Sequence, residues 1–307
     1  MKINCNQNNF LNSILTVQKA SSANSTLPVL QGILIEARDD HLVLTGTNLE
    51  LGIESHMNAE ILKTGRVVVP TRLLSEIVRK LPNAEMEIEV LENYTVKITC
   101  LNSVVTIQGL DPEEFPALPI VDEGQTLQVN QKMLLEMIKQ TVFAVAIDES
   151  RPILTGALLE VRDNTLNIIC LDGYRLALRR GKIDIAQKEK SVVIPGKSLI
   201  EIAKIINDDN IDITIMVTDK HVLFDLGETI VISRVLEGEY INYQQIIPTD
   251  YKLRVKVDSD ILLASIERAS LIAREGKNNL LKLNIKDQKM VITSNSEAGQ
   301  IYEEIPI

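Results

Sequence analysis

The chain repeats itself at domain length. Shifted by 124 positions, Pro28–Leu42 (PVLQGILIEARDDHL) falls on Pro152–Leu166 (PILTGALLEVRDNTL) with eight identities in fifteen positions. A second shift of 124 carries Val161–Leu166 (VRDNTL) onto Ile285–Met290 (IKDQKM). Solenoid repeats run to roughly 20–50 residues, so the unit here is a whole domain used more than once. Function is then expected from an assembly of like units rather than from one catalytic pocket.

Each repeat holds two smaller units in which a helix is followed by alternating strands. Apolar spacing places helices near Asn9–Lys19 (Phe10, Ile14, Leu15 and Val17 inward), Arg72–Leu81 (Leu73, Leu74, Ile77, Leu81) and Gln131–Val142 (Leu134, Leu135, Ile138, Val142). Two more fall at Lys197–Ile206 (Leu199, Ile200, Ile202, Ile206) and Asp260–Leu271 (Leu262, Leu263, Ile266, Ala269). Period-two strands are expected at Ile33–Ala37 with Leu42–Thr45, at Leu158–Val161 with Leu166–Ile169, and at Leu281–Ile285 with Met290–Thr293. Polar turns join each pair, at Arg38–Asp40, Arg162–Asn164 and Lys286–Gln288. The second units match too: VVVPTRLLSEI (Val67–Ile77) parallels VVIPGKSLIEI (Val192–Ile202). Linkers fall at Ile120–Gln128 and Pro248–Lys252, giving an α+β chain with domains at 1–121, 127–248 and 252–307. Ile307 corresponds to position 307 − 124 = 183 of the second repeat, which runs 248 − 183 = 65 residues further. The third domain is therefore expected to hold its first half only.

Composition excludes several classes. No apolar run approaches the ~18 residues of a membrane helix, and the N-terminus MKINCNQNNF lacks a signal-peptide core. Cys5, Cys100 and Cys170 have no metal-ligand spacing and read as buried or free thiols of a reducing cytoplasm. No phosphate-binding glycine loop follows a strand, and neither a metal site nor a cofactor is signalled. His41, His56 and His221 stand isolated in sequence, with no local catalytic triad, so an enzyme is unsupported.

The charge balance is 32 basic against 42 acidic residues, a net of −10, which argues against a nucleic-acid binder unless the basic groups are segregated. Helix faces directed away from the core carry Arg72, Arg79, Lys80, Lys132, Lys139, Lys197, Lys204 and Arg268, interleaved with Glu76, Glu136, Glu201 and Glu267. One such helix is an ordinary solvated face. Equivalent helices on one shared surface would make a diffuse track for phosphates.

The chain resembles the bacterial DNA sliding clamp, the beta subunit of the replicative DNA polymerase III. The resemblance spans the whole length and rests on LPVLQGILIEA (Leu27–Ala37), LTGTNLELGIE (Leu44–Glu54), EFPALP (Glu114–Pro119), RPILTGALLEV (Arg151–Val161), LDGYRLAL (Leu171–Leu178) and SRVLEGEYINYQQIIP (Ser233–Pro248). It implies a head-to-tail homodimeric ring of repeated clamp domains, helices inside and sheets outside, closed around duplex DNA without sequence readout. The implied function is polymerase processivity, with no catalysis of its own and with polymerase, clamp loader and repair proteins docked by short linear peptides.

The resemblance also assigns residues. Leu154, Leu171, Gly173, Tyr174, Arg175, Leu176, Ile241, Gln245 and Ile246 match its peptide groove, with Leu154, Leu176 and Ile246 as an apolar slot and Arg175 at the rim. Ile241 and Gln245 replace the family's usual Pro and Arg. Ring closure would pair Ile77, Leu81, Val105 and Ile107 of the first domain with Ile272, Glu297, Glu303 and Glu304 of the third. With half a domain absent, the groove would be weakened, and the alternative is an open clamp-derived module that binds peptides without retaining DNA.

Overall fold

The computed structural model describes residues 1–22, 25–183, 189–286 and 288–307. Two compact units are present, Met1–Tyr240 and Ile241–Ile307. In the first repeat, β1 (Lys2–Asn6) runs into α1 (Gln7–Val17), followed by β2 (Gly32–Ala37), β3 (Leu42–Thr47), β4 (Leu51–Met57) and β5 (Glu60–Lys63). It continues with β6 (Gly65–Pro70), α2 (Thr71–Lys80), β7 (Glu85–Val90), β8 (Thr95–Cys100) and β9 (Ser103–Gln108). The second repeat opens with β10 (Gln125–Asn130), α3 (Gln131–Lys139), β11 (Gly156–Arg162), β12 (Thr165–Leu171) and β13 (Leu176–Lys182). It closes with β14 (Lys190–Pro195), α4 (Gly196–Ala203), β15 (Asp212–Val217), β16 (His221–Asp225) and β17 (Thr229–Arg234).

Sharp strand-to-helix turns have a shared cause. Asn6 is extended and its side chain accepts the N–H groups of Asn8 and Asn9, capping α1. Asn130, 124 residues on, accepts the Met133 N–H and caps α3. Each cap satisfies donors that a helix start leaves open. α1 therefore begins at Gln7, two residues before the Asn9 that apolar spacing suggests, while α3 begins at the expected Gln131 and ends early, at Lys139, with Val142 in a short 3-10 turn (Val142–Ala144).

The strands form a five-stranded sheet (β5-β1-β7-β8-β9), a four-stranded sheet (β13-β12-β11-β14) and an eight-stranded sheet (β10-β15-β16-β17-β4-β3-β2-β6). The eight-stranded sheet crosses the boundary between repeats where β17 pairs with β4, from Thr229↔Ser55 to Ser233↔Leu51. Under the sheets α1 packs on α2 and α3 on α4, with Phe10, Ile14, Leu74, Val78, Leu134, Ile138, Leu199 and Ile202 out of solvent.

Several sequence expectations are corrected. Leu73 is 46 % exposed and Ile200 is 39 % exposed, because the small polar Ser75 and Ser198 take inward positions beside Leu74 and Leu199. β3 is buried along its whole length rather than alternating, since residues on both of its faces are covered. Gln125–Gln128, expected in a linker, lie in β10. His41 and His56 are not isolated: their rings stack with centroids 5.4 Å apart, because His56 lies on β4 opposite Val43 and His41 just precedes β3.

The unit Ile241–Ile307 contains α5 (Ser259–Arg274) and an antiparallel sheet of β18 (Lys282–Lys286), β19 (Lys289–Ser296) and β20 (Gly299–Pro306). Asp258 caps α5 through the Asp260 and Ile261 N–H groups. Ala269, Met290, Ile292 and Ile305 form its core. Leu263, expected inward, is 56 % exposed, while Ser265 is buried in its place. Asp287 of the expected Lys286–Gln288 turn lies outside the described residues.

Candidate functional site

The eight basic residues expected on helix faces are all exposed. Arg79 and Lys80 end α2, and Lys139 ends α3, where a cation also suits the carbonyl end of the helix. Among the described residues Arg79, Lys80, Lys132 and Lys139 have no ion-pair partner. The other four are engaged. Arg72 meets Glu76 at 3.0 Å, Lys197 meets Glu149 at 3.9 Å and Lys204 meets Glu201 at 2.7 Å. Arg268 makes a two-pronged contact with Glu303, 2.7 Å from each nitrogen, and holds the Glu303 carboxyl below its ordinary pKa. An expected DNA contact and an expected interface acid thus neutralise each other. Lys19 joins this set unannounced by the sequence pattern. It is half-buried and donates to the Leu15 carbonyl at 2.9 Å, and burial, with Lys204 nearby, lowers its pKa against the opposing pull of Glu201.

The Asp172–Arg175 turn is built from its first residue. The Asp172 carboxylate accepts the N–H groups of Tyr174 at 3.0 Å and Arg175 at 3.1 Å, and the Arg175 side chain at 3.0 Å. The Tyr174 N–H is the main cause that holds the Asp172 pKa below the usual carboxylate range. Gly173 adopts φ +93°, a left-handed conformation that suits glycine. The turn closes on the Leu171↔Leu176 pair of β12 and β13. It leaves Tyr174 wholly exposed and lays the Arg175 guanidinium over the Phe143 ring at 5.6 Å. Phe143, itself 58 % exposed, extends the apolar wall. Its sequence signal is weak because it follows a helix end.

Of the expected slot, Leu154 and Leu171 are buried at 1 % and 2 % exposure, so they offer no surface of their own, while Leu176 is half-buried. In the second unit Ile241 and Ile246 are exposed at 37 % and 50 %, flanking a 3-10 turn at Tyr243–Gln245 in which Gln245 is exposed.

For the expected interface, Ile77, Leu81 and Val105 are half-buried against the first core. Ile107 is only 2 % exposed, because the inward face of β9 carries it, so it does not offer a surface of its own. β9 is an edge strand, with backbone groups open on one side. Ile272 is half-buried and Glu297 exposed. Glu304 is engaged by Lys289 and Tyr302.

Comparison with known proteins decides the family. Three successive family models match: the DNA polymerase III beta subunit N-terminal domain at residues 1–119, central domain at 128–242 and C-terminal domain at 244–306. The chain belongs to the DNA polymerase III beta subunit family, the bacterial sliding clamps. It is 40% identical over 316 residues to the beta sliding clamp of Bacillus subtilis, covering 99% of this chain and 84% of that one. Against the beta sliding clamp of Staphylococcus epidermidis the identity is 36% over 314 residues, covering 99% and 83%. Among solved structures, the Bacillus subtilis DNA polymerase sliding clamp superposes with a TM-score of 0.96 at 39% identity, covering 100% of this chain and 83% of that one. The Thermotoga maritima DNA polymerase III beta subunit gives 0.91 at 28%, covering 99% and 83%.

The sliding-clamp likeness therefore holds in fold as in sequence: three clamp domains of helices and antiparallel sheets, in the class of polymerase processivity factors. The expected half-domain at the C-terminus is not borne out, since residues 244–306 match the family's C-terminal domain. The alternative of an open peptide-binding module, which rested on that half-domain, is not favoured. No helix among the described residues is long and apolar enough to cross a membrane.

Proposed function

We propose that two copies of this sliding clamp close head to tail around duplex DNA and hold a replicative polymerase at its template. Domains at 1–121, 127–248 and 252–307 would each turn helices toward the DNA. The observation that carries the reading is the recurrence of exposed basic side chains on equivalent helices of a chain whose net charge is −10. Contacts of that kind neutralise phosphates without reading bases. Arg79, Lys80, Lys132 and Lys139, which have no ion-pair partner among the described residues, would carry most of it. Partner peptides from polymerase, clamp loader and repair proteins would seat against Tyr174, Arg175 and Leu176, with Ile241, Gln245 and Ile246 contributing from the end of the second domain and Leu154 and Leu171 forming the floor. Ile77, Leu81 and Val105 would meet Ile272 and the acidic segment of the second copy. The protein itself would perform no catalysis.

The test is retention on DNA. Clamp assembled with a clamp loader on nicked circular duplex should co-elute with the DNA in gel filtration and be lost when the circle is cut. Equal retention on linear and circular DNA would refute topological binding.

A further inference from the structure

The first repeat contains a second version of the Asp172 turn, and beside it lies an unassigned cleft of about 370 Å³. Asn48 stands 124 residues before Asp172, and its side chain likewise accepts two backbone N–H groups, from Glu50 at 3.0 Å and Leu51 at 2.8 Å. The backbone closure is shared too: Asn48 N–H to the Leu51 carbonyl in one turn, Asp172 N–H to the Arg175 carbonyl in the other. The flanking pairs are Thr47↔Gly52 and Leu171↔Leu176. The left-handed residue is Gly173 in the second repeat but Leu49, at φ +74°, in the first. A bulky side chain is disfavoured there, yet Leu49 holds the conformation and stands 51 % exposed at the cleft mouth.

Glycine at position 52, in place of the second repeat's Leu176, makes room for Leu118 as a cleft wall. Leu118 lies directly over Gly52, where a Cβ would overlap its Cδ atoms. Pro116, Pro119 and Ile232 add apolar lining. The far wall comes from the neighbouring repeat, since the Arg234 N–H bonds the Glu50 carbonyl at 2.8 Å across the β17–β4 seam. Among the described residues neither the exposed Arg234 guanidinium nor the His221 imidazole has a side-chain partner, and Glu50 forms no ion pair with Arg234. The cleft therefore combines an apolar body, a free cation on one wall and a carboxylate at the rim.

We infer that this cleft is a second docking site, for a short extended peptide that places an aliphatic or aromatic side chain between Leu49, Leu118 and Ile232 and an acidic side chain on Arg234. Charge complementarity selects the occupant: the unpaired Arg234, with Lys220 also beside His221, favours an acid next to the anchor, while burial and these two cations lower the His221 pKa and keep its ring neutral. Glu50 is free to take a peptide N–H. The choice of a peptide as ligand rests on the proposed groove of the second repeat, so the test reads both sites at once.

The full chain, labelled with 13C at Ile and Leu methyls, is titrated with acetyl-Gly-Leu-Phe-Asp-Gly-amide and with its counterpart in which Lys replaces Asp. Saturable shifts are expected at Leu49, Leu118 and Ile232. Arg234→Ala should weaken binding by about tenfold or more, as loss of a charge-assisted hydrogen bond predicts, and so should the Lys peptide. Leu49→Gly relieves the left-handed leucine and keeps the turn foldable, and should also weaken binding. An unchanged Ile53 methyl shift reports that each variant is folded. No saturable shift at the three methyls, equal binding by the Lys peptide, or affinity unchanged in Arg234→Ala would overturn the inference. Shifts that move on diluting the chain alone would assign the cleft to self-association and overturn it too. Response at Leu154 and Leu176 alone would leave the second-repeat groove standing and refute this site; the converse would refute only the groove.

Discussion

Thr141 is fully buried just past the end of α3, with its side chain against Cys170, two residues before Asp172. Its N–H bonds the Ile138 carbonyl at 3.1 Å, which leaves the Met137 carbonyl without its usual helical donor. The Thr141 hydroxyl supplies that donor at 2.7 Å, and Met137 is itself inaccessible to solvent. Thr141→Val keeps the shape and removes the donor. An unsatisfied buried acceptor costs about 1–3 kcal/mol, so a loss of about 2 kcal/mol is expected. Thr141→Ser keeps the hydroxyl and loses one buried methyl, for about 1 kcal/mol. Urea unfolding followed by far-ultraviolet circular dichroism should show the valine variant with the lower midpoint at unchanged slope. The adjoining Val142–Ala144 turn carries Phe143 beneath Arg175, so peptide affinity at the second-repeat groove should fall in the same order. A serine variant as unstable as valine, or more so, would show that packing rather than the hydroxyl holds this helix end.

Three further outcomes are expected. Glu303→Gln frees Arg268, so if α5 faces DNA the salt dependence of duplex binding should steepen by about 0.9 in log–log slope; an unchanged slope would take Arg268 off the DNA path. Burial pushes the thiols of Cys5 and Cys170 up to about 12. A raised folded pKa means that their contribution to stability is fully present below the unfolded thiol value of about 8.5 and is lost as pH rises from there toward 12. Native protein at pH 8 should therefore resist iodoacetamide at both positions, with reactivity appearing only on unfolding; rapid native labelling would contradict the burial. Light scattering across a concentration series should give twice the chain mass of 34.2 kDa, about 68 kDa, for the proposed dimer, and a monomer throughout would refute closure.

The hairpins β2–β3 and β11–β12 are legible from the repeat because identical residues sit at turn positions with local causes, as at Asp39 and Asp163. Helix starts are less so. The Asn6 cap starts α1 at Gln7, before the Asn9 that apolar spacing marks, whereas the α3 start at Gln131 falls where the spacing places it. Leu73 and Leu263 mislead for a related reason: hydrophobicity does not reveal that a small serine fits the tighter inward position. The Asp172 turn is readable because its bonds span three residues. The Arg268–Glu303 contact joins residues 35 positions apart, and the His41–His56 stack depends on strand register. Neither follows from local pattern. Ile107 shows the same limit, since alternation along β9 separates two faces without saying which one meets the core.

The ladder between β17 and β4 also has a mechanical meaning. An antiparallel ladder five residue pairs long joins the first two repeats, in addition to the chain that links them. A load that tries to part these repeats must rupture sheet rather than bend a tether. Under tension Met1–Tyr240 should yield as one body, in a single force peak where two would mark independently loaded domains. If the proposed ring opens to admit DNA and then bears the drag of a polymerase, its compliance is expected away from this seam.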